Sequence, residues 1–330
     1  MFLDSLLILW LLLTGMQRPD APAVADVRPH YTVQIQSAPA ARKNRVLQTY
    51  EDLKAKGHLV YCRSAYVGEQ FYVRLRTGFF WDRDQARAHL EALRESEGFD
   101  GFVTQANLAV TSFGEDFDIV TTPNDLWFRS GTALRPLYHF DTDAVAATCS
   151  AVAICPAGRA IAFACDNKIL RIDLQDDSVT VLKQGQDEDA LFKSLLAWSP
   201  DGRHLAYLDR AGWELPSRLR IMRSDGSGDR CLAGDASGRT RVKSLQWHPR
   251  KEELFYVSGP THGTVSVGGS LYRVDLHGRR KVIAPASATD RTEVHGDFHI
   301  ADDEIHYRLA HFDRDYQAIE YTMHRAPLDP

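Results

Sequence analysis

The side chains best suited to chemistry lie near the C-terminus, which is rich in histidine: His295, His299, His306 and His311. On a strand His295 and His299 would share a face, and two imidazoles so placed could ligate a metal ion or serve a polysaccharide lyase or hydrolase. Scattered surface histidine is far commoner, and Asp297, Asp302, Asp303 and Glu304 read most simply as solvated turn carboxylates. No G-x-S-x-G elbow, HExxH, Walker loop or G-x-G-x-x-G before a helix occurs. The expectation is therefore no catalytic residue, no metal and no cofactor. The five cysteines, Cys62, Cys149, Cys155, Cys165 and Cys231, include no CxxC and no histidine at zinc-finger spacing. Cys155 and Cys165 could face each other across a hairpin in an oxidising compartment, although a buried thiol is the commoner state.

Composition bounds the setting for any such chemistry. The 330 residues are enough for two domains, and 44 % hydrophobic with 25 % charged residues is an ordinary globular balance. A formal net charge of −5 argues against a dedicated nucleic-acid binder, whose affinity rests on clustered Lys and Arg. Leu6 to Leu13, LLILWLLL, has the length of a signal-peptide h-region and is shorter than the ~20 residues that span a bilayer. Ala23-Val24-Ala25 offers a cleavage site, so residues 1–25 are expected to direct export, with an uncleaved inner-membrane anchor as the alternative. Asp4 stands where a positive residue is usual, and no Cys follows at a lipidation position.

After a short linker at 26–30, residues 31–107 predict a compact α+β domain. Tyr31, Val33 and Ile35 alternate with Thr32, Gln34 and Gln36, as on a strand with one buried face. From Ala41 to Lys56 the spacing turns helical, with Val46, Leu47, Tyr50 and Leu53 on one side and Gly57 as C′ residue. Two strands follow, Leu59 to Cys62 and Gln70 to Thr77, the second with Val73 and Leu75 inward and Tyr72, Arg74 and Arg76 outward. Asp82 caps a second helix whose stripe is Ala86, Leu90 and Leu93 and which ends at Gly98. Phe102-Val103 closes a βαββαβ order, two helices on one face of an antiparallel sheet and the other face open.

YTVQIQS, a helix ending LKAKG, FYVRLRTGFF and DRDQARAHLEAL together resemble the SPOR family of bacterial peptidoglycan-binding domains over nearly all of residues 31–107. Gln36 and Gly78-Phe79-Phe80 depart from the family's usual residues without touching the sheet pattern. The resemblance implies binding of peptidoglycan glycan strands, preferentially those stripped of stem peptides, over the open sheet face. Carried over by position, the glycan-contacting residues are Gln34, Ser37 and Tyr72, with Arg74 as a weaker addition. An amide and a hydroxyl can both donate to and accept from sugar, and an aromatic ring offers a flat apolar face. An RNA-recognition domain shares the βαββαβ order, but Gln70 to Gly78 lacks its aromatic signature, and no nucleic acid is expected.

Residues 108–330 read as strands and turns in repeated units. Ala151 to Phe163, Leu195 to Tyr207 and Leu245 to Tyr256 align on Pro156, Pro200 and Pro249, at steps of 44 and 49 residues. Each is followed by a second strand pair: Ile169 to Leu174, Leu219 to Met222 and Leu271 to Leu276. A degenerate fourth copy runs from Phe298 through Ile305-His306-Tyr307 to Ile319-Glu320-Tyr321. Such a period with four short strands per unit is the mark of a β-propeller. The Ser199-Pro200-Asp201-Gly202 turn, GRxLAY and the Trp before the turn resemble the WD40-like repeats of TolB-type propellers. Residues 119 to 140 read as half a blade, with Leu126 to Phe128 and Leu134 to Phe140 as outer strands, giving four and a half to five blades. The fold class expected is thus α+β followed by all-β. The function expected is an exported periplasmic or cell-envelope adaptor, its first domain on glycan, with the division septum as a candidate place, and its propeller on an unidentified protein partner. The competing expectation is a wall-directed polysaccharide-degrading enzyme with its active site on the propeller.

Overall fold

The computed structural model describes residues 31–329 apart from 69, 107, 114–116, 123–124, 131–132, 141–151, 166, 186–194, 210–215, 235–237, 262–267 and 314–318. The leader, its cleavage site, the 26–30 linker and Cys149 lie outside the described residues.

The first sheet is built from β1 (Tyr31–Pro39), β2 (Val60–Val67), β3 (Gln70–Phe80) and β4 (Phe102–Gln105), in the order β2-β3-β1-β4, with every pairing antiparallel. Helices α1 (Lys43–Ala55) and α2 (Arg83–Glu97) cover one of its faces. Val46, Tyr50 and Leu53 of α1 pack on Val60, Cys62, Val73 and Leu75, while Ala86 and Leu90 of α2 pack on Val33. A turn of 3-10 helix, Ala40–Arg42, precedes α1, so the regular helix starts two residues later than the spacing predicts. Its end is a Schellman turn: His58 N–H donates to Leu53 O at 3.0 Å and Gly57 N–H to Lys54 O at 2.9 Å, with Gly57 at φ 84°. At the start of α2 the Asp82 carboxylate accepts from the N–H groups of Asp84 and Gln85 at 2.9 and 2.8 Å.

Two bulges shape the pairing of β1 with β3. The first is in β3, where Gly78 and Phe79 together stand opposite Thr32 and Gly78 takes a φ of 65° that suits a residue without a side chain. The second falls between Gln34 and Gln36: Gln34 stands opposite Arg76, but Gln36 stands opposite Leu75 and Ser37 opposite Arg74. The extra residue reverses the alternation, so Gln34 and Ser37, three apart, face the same side.

Beyond this domain come four four-stranded antiparallel arrays and a three-stranded one. They are β5 (Ala109–Phe113), β6 (Phe117–Thr121), β7 (Asp125–Ser130) and β8 (Ala133–His139); β9 (Val152–Ile154), β10 (Ala160–Cys165), β11 (Lys168–Asp173) and β12 (Val179–Gln184); β13 (Leu196–Trp198), β14 (His204–Leu208), β15 (Leu219–Arg223) and β16 (Arg230–Ala233); β17 (Thr240–Trp247), β18 (Glu253–Pro260), β19 (Gly268–Asp275) and β20 (Arg280–Ala284); and β21 (Thr292–Ala301), β22 (Glu304–Phe312) and β23 (Ile319–Pro327). The last array joins the fourth through a short β19–β21 pairing at Gly268 and Gly269, where any β-carbon would strike backbone. The segment read as half a blade is a whole four-stranded sheet; its first two strands lack the proline turn that marks the later copies, and so escape a search by turn signature.

The cores lie between successive sheets. Ile119, Leu126 and Phe140 meet Ile161, Phe163 and Ile172; Ala162 and Leu182 meet Trp198, Leu205 and Tyr207; Leu219 and Ile221 meet Val242, Leu254 and Tyr256; Phe255 and Val257 meet Val294 and Ile305. The second strand of the three clear repeats, β10, β14 and β18, is buried on both faces, which is why it reads as a continuous apolar run, Leu205-Ala-Tyr-Leu208 or Leu254-Phe-Tyr-Val257, and not as an alternation. Cys155 and Cys165 do not meet: Cys155 sits beside Ala160 at the turn, whereas Cys165 ends β10 opposite Lys168, and the two enter different cores. Among the described residues no helix is long and apolar enough to cross a membrane.

Candidate functional site

The helix-free face of the first sheet is laid out in rows set by the register. Tyr61, Arg76, Gln34 and Phe102 form one row from β2 to β4, Arg63, Arg74 and Ser37 the next, and Ala65, Tyr72 and Pro39 the last. All four sequence-predicted contacts, Gln34, Ser37, Tyr72 and Arg74, therefore fall on one face. Parity alone would have put Ser37 opposite to Gln34; the bulge brings them together.

The face is not open along its whole length. The chain leaving β4 folds back over the first row. Arg63 donates to Ala106 O at 2.9 Å, and Arg76 to Gln105 O at 3.0 Å. Tyr61 and Phe79 pack with Ala106, Leu108 and Val120 against the next sheet, and Tyr61 is fully buried. Burial raises the Tyr61 phenol above its ordinary value, against the opposing pull of Thr32 and Arg76; burial also lowers the Arg76 guanidinium. Gln34 is only 8 % exposed, so the expectation that it is presented on an open face is corrected: it lies in the covered row, next to Arg76. Ser37 is exposed, and Tyr72 and Arg74 are half-buried, in the uncovered rows. The Tyr72 hydroxyl donates to Gln70 Oε1 at 3.1 Å, which holds the ring's tip at the strand end.

One residue the sequence reading passed over joins them. Phe102, opposite Gln34 on β4, is 56 % exposed although its neighbour Val103 packs under α2. An aromatic left in solvent on a sheet face is a ring platform for an apolar surface. In sequence Phe102-Val103 reads only as a short closing strand, and nothing tells which of the two points outward. The uncovered surface thus offers a hydroxyl, two guanidinium groups, a phenol and a phenyl ring: donors and acceptors for hydroxyl and N-acetyl groups, and flat faces for pyranose rings.

Residues 28–105 match the family model described as SPOR domain. This segment is a SPOR domain. No curated protein matches the chain. Among solved structures, the chain is similar to TolB from Acinetobacter baumannii, at 12 % identity over 84 % of this chain and 82 % of that one, with a TM-score of 0.38. It is similar to a TolB protein from Agrobacterium tumefaciens, at 13 % identity over 67 % of this chain and 83 % of that one, with a TM-score of 0.42. Dipeptidyl peptidase 4 of Porphyromonas gingivalis is also similar, at 12 % identity over 65 % of this chain and 37 % of that one, with a TM-score of 0.40. The SPOR domain is followed by successive antiparallel sheets.

The repeat residues have structural duties in those sheets. Trp198 Nε1 donates to Ala153 O of the preceding sheet at 3.1 Å, and Trp247 Nε1 to Ala197 O at 2.8 Å. In the turn, Ser199 Oγ donates to Asp201 Oδ1 at 2.6 Å and accepts from His204 N–H at 2.9 Å, with Gly202 at φ 70°. The histidines divide between the two faces of the last array. His299 and His306 stack cross-strand with centroids 4.8 Å apart; burial and the adjoining His306 lower the His299 imidazole. His295 shares their face, beside Arg308 at 3.1 Å and edge-on to Tyr321, whereas His311 lies on the opposite face at 2.8 Å from Thr322 Oγ1. Among the described residues no three His, Cys, Asp or Glu side chains come together as a metal site.

Proposed function

We propose that this protein is an exported peptidoglycan-binding adaptor. Its SPOR domain takes peptide-stripped glycan strands on the solvent-exposed part of its helix-free face, and its propeller serves as a rigid platform for a protein partner, with the division septum as the place where such glycan is abundant. The observation that carries the reading is the convergence of Ser37, Tyr72, Arg74 and Phe102 on one solvent-facing surface of the SPOR domain. That surface carries basic and aromatic groups, suited to a hydroxyl-rich polymer whose lactyl carboxylates are bared when the stem peptides are removed.

The test is co-sedimentation of the full chain with isolated sacculi, before and after an amidase removes the stem peptides. Retention should rise after stripping and fall in the Ser37→Ala, Tyr72→Ala double variant. A folded protein that binds neither preparation would refute the reading. The platform role is non-catalytic, so incubation should release no new reducing ends or muropeptides from sacculi; release would replace the adaptor by a wall-directed enzyme.

A further inference from the structure

We propose that the C-terminal strand β23 is a dimerisation edge, pairing antiparallel with β23 of a second copy of this chain. The argument begins with how the other outer edges are finished. In the four preceding sheets the outermost strand is β8, β12, β16 or β20, and each pairs with its inner neighbour through a register shift. Two of them are short, four residues for β16 and five for β20; β8 carries Pro136, and β20 carries Arg280 and Lys281. Bulges, brevity, proline and charge are the devices that stop a sheet edge from recruiting another strand.

β23 is neither short nor bulged, and its one proline, Pro327, stands at its last position. It pairs with β22 over nine residues, from Glu304 opposite Pro327 to Phe312 opposite Ile319, with no shift. Among the described residues it is the outer strand of its three-stranded array. It is exposed along nearly its whole length, and Ile319, Tyr321 and Met323 line one face as an apolar stripe, Met323 63 % exposed.

The occupant follows from the sequence of the strand itself. Two copies related by a two-fold axis perpendicular to the sheet keep their faces in common, so opposed residues must share parity. With Thr322 opposite its own copy, Glu320 stands opposite His324 twice on one face. On the other face Tyr321 stands opposite Met323 twice, a ring against a thioether, and Ile319 meets the aliphatic stem of Arg325 twice. Each strand is thereby the fourth strand of its partner's array, and the two arrays become one continuous six-stranded sheet. An unrelated peptide would gain the backbone ladder but not these paired side chains.

Sedimentation velocity on the full chain, in a Cys231→Ser background that removes the exposed thiol, should show a concentration-dependent dimer. Thr322→Cys should form a disulfide-linked dimer on mild oxidation. Glu320→Cys should not, because the two thiols would lie four residues apart along the strands, beyond the ~7 Å Cα reach of a disulfide. Tyr321→Lys with Met323→Lys should weaken the dimer by roughly tenfold or more while circular dichroism stays unchanged, since like charges would stand opposed. A monomer at every concentration overturns the proposal and leaves the edge to a different protein. A dimer that Thr322→Cys does not cross-link, or that the paired lysines leave intact, overturns it as well, by placing the contact elsewhere.

Discussion

At the scale of single residues, exposure on the SPOR sheet separates the proposed glycan contacts from structural residues. Phe102 is exposed and packs on little, so Phe102→Ala should leave the melting temperature almost unchanged while costing ~0.5–1.5 kcal/mol of glycan affinity, about 2- to 12-fold in retention on stripped sacculi. Gln34→Ala acts in the opposite order: buried beside Arg76, it should lower stability first, and any loss of retention should track the unfolded fraction. Thermal melts run beside the sacculus assay distinguish the two. Asp229 is a second informative residue. Burial alone would raise its carboxyl, but hydrogen bonds from Arg220 at 3.0 Å, Lys183 at 2.9 Å and Tyr207 at 2.7 Å outweigh that and hold it below the ordinary carboxylate value. A carboxyl depressed in the folded state contributes stability in full above its unfolded pKa of about 3.9 and loses it as the pH falls through the folded value. Asp229→Asn should therefore weaken the protein at neutral pH and flatten the acid limb of its stability profile below about pH 4; an unchanged limb in urea titrations would assign the acid sensitivity to other groups.

At the scale of elements, the repeat signature is an account of how sheets are joined. Trp198 and Trp247 each reach back to a backbone carbonyl of the preceding inner strand, so the indole both fills the core and closes a hydrogen bond across it. Trp247→Phe leaves Ala197 O without that donor and should cost ~1–3 kcal/mol in urea unfolding at unchanged m-value. Trp127 is the internal control: its Nε1 is buried without a partner, so Trp127→Phe removes no hydrogen bond and should cost less. These joints were legible in the sequence because each recurs with a proline turn at a steady interval. Both helices of the SPOR domain were legible for a similar reason, since Asp82, Gly57 and Gly98 mark their ends. The bulge at Gln34 to Gln36 was not, because it leaves the residue types of a plain alternating strand, and only the family resemblance placed Ser37 beside Gln34. Nor were β5 and β6, which lack the turn, or the covering of Gln34, which depends on a contact with a sheet more than seventy residues further along the chain.

At the scale of the whole molecule, the cores form a series in which every sheet is packed on the next, and the SPOR domain belongs to that series. Tyr61 and Phe79 present to the β5–β8 sheet the kind of apolar surface that Ile161 and Phe163 present to its other side. Val120 and Ile119, adjacent on β6, go one to each core. Arg63 and Arg76 fasten the crossing chain from above. The SPOR domain is thus the end member of the stack and not a tethered attachment, which makes its stability and that of the β5–β8 sheet a joint property. Tyr61→Ala removes a fully buried ring from this joint and should cost ~3–5 kcal/mol, in the range of other buried aromatic truncations. Because the ring touches both partners, scanning calorimetry of the wild-type chain should show the SPOR domain and the first sheet melting in one transition. Hydrogen exchange in Tyr61→Ala should rise in β2 and β3 and equally in β6 and β7. Exchange that rises in β2 and β3 alone would show the two units to be independent, and would free the covered row of the sheet for ligand.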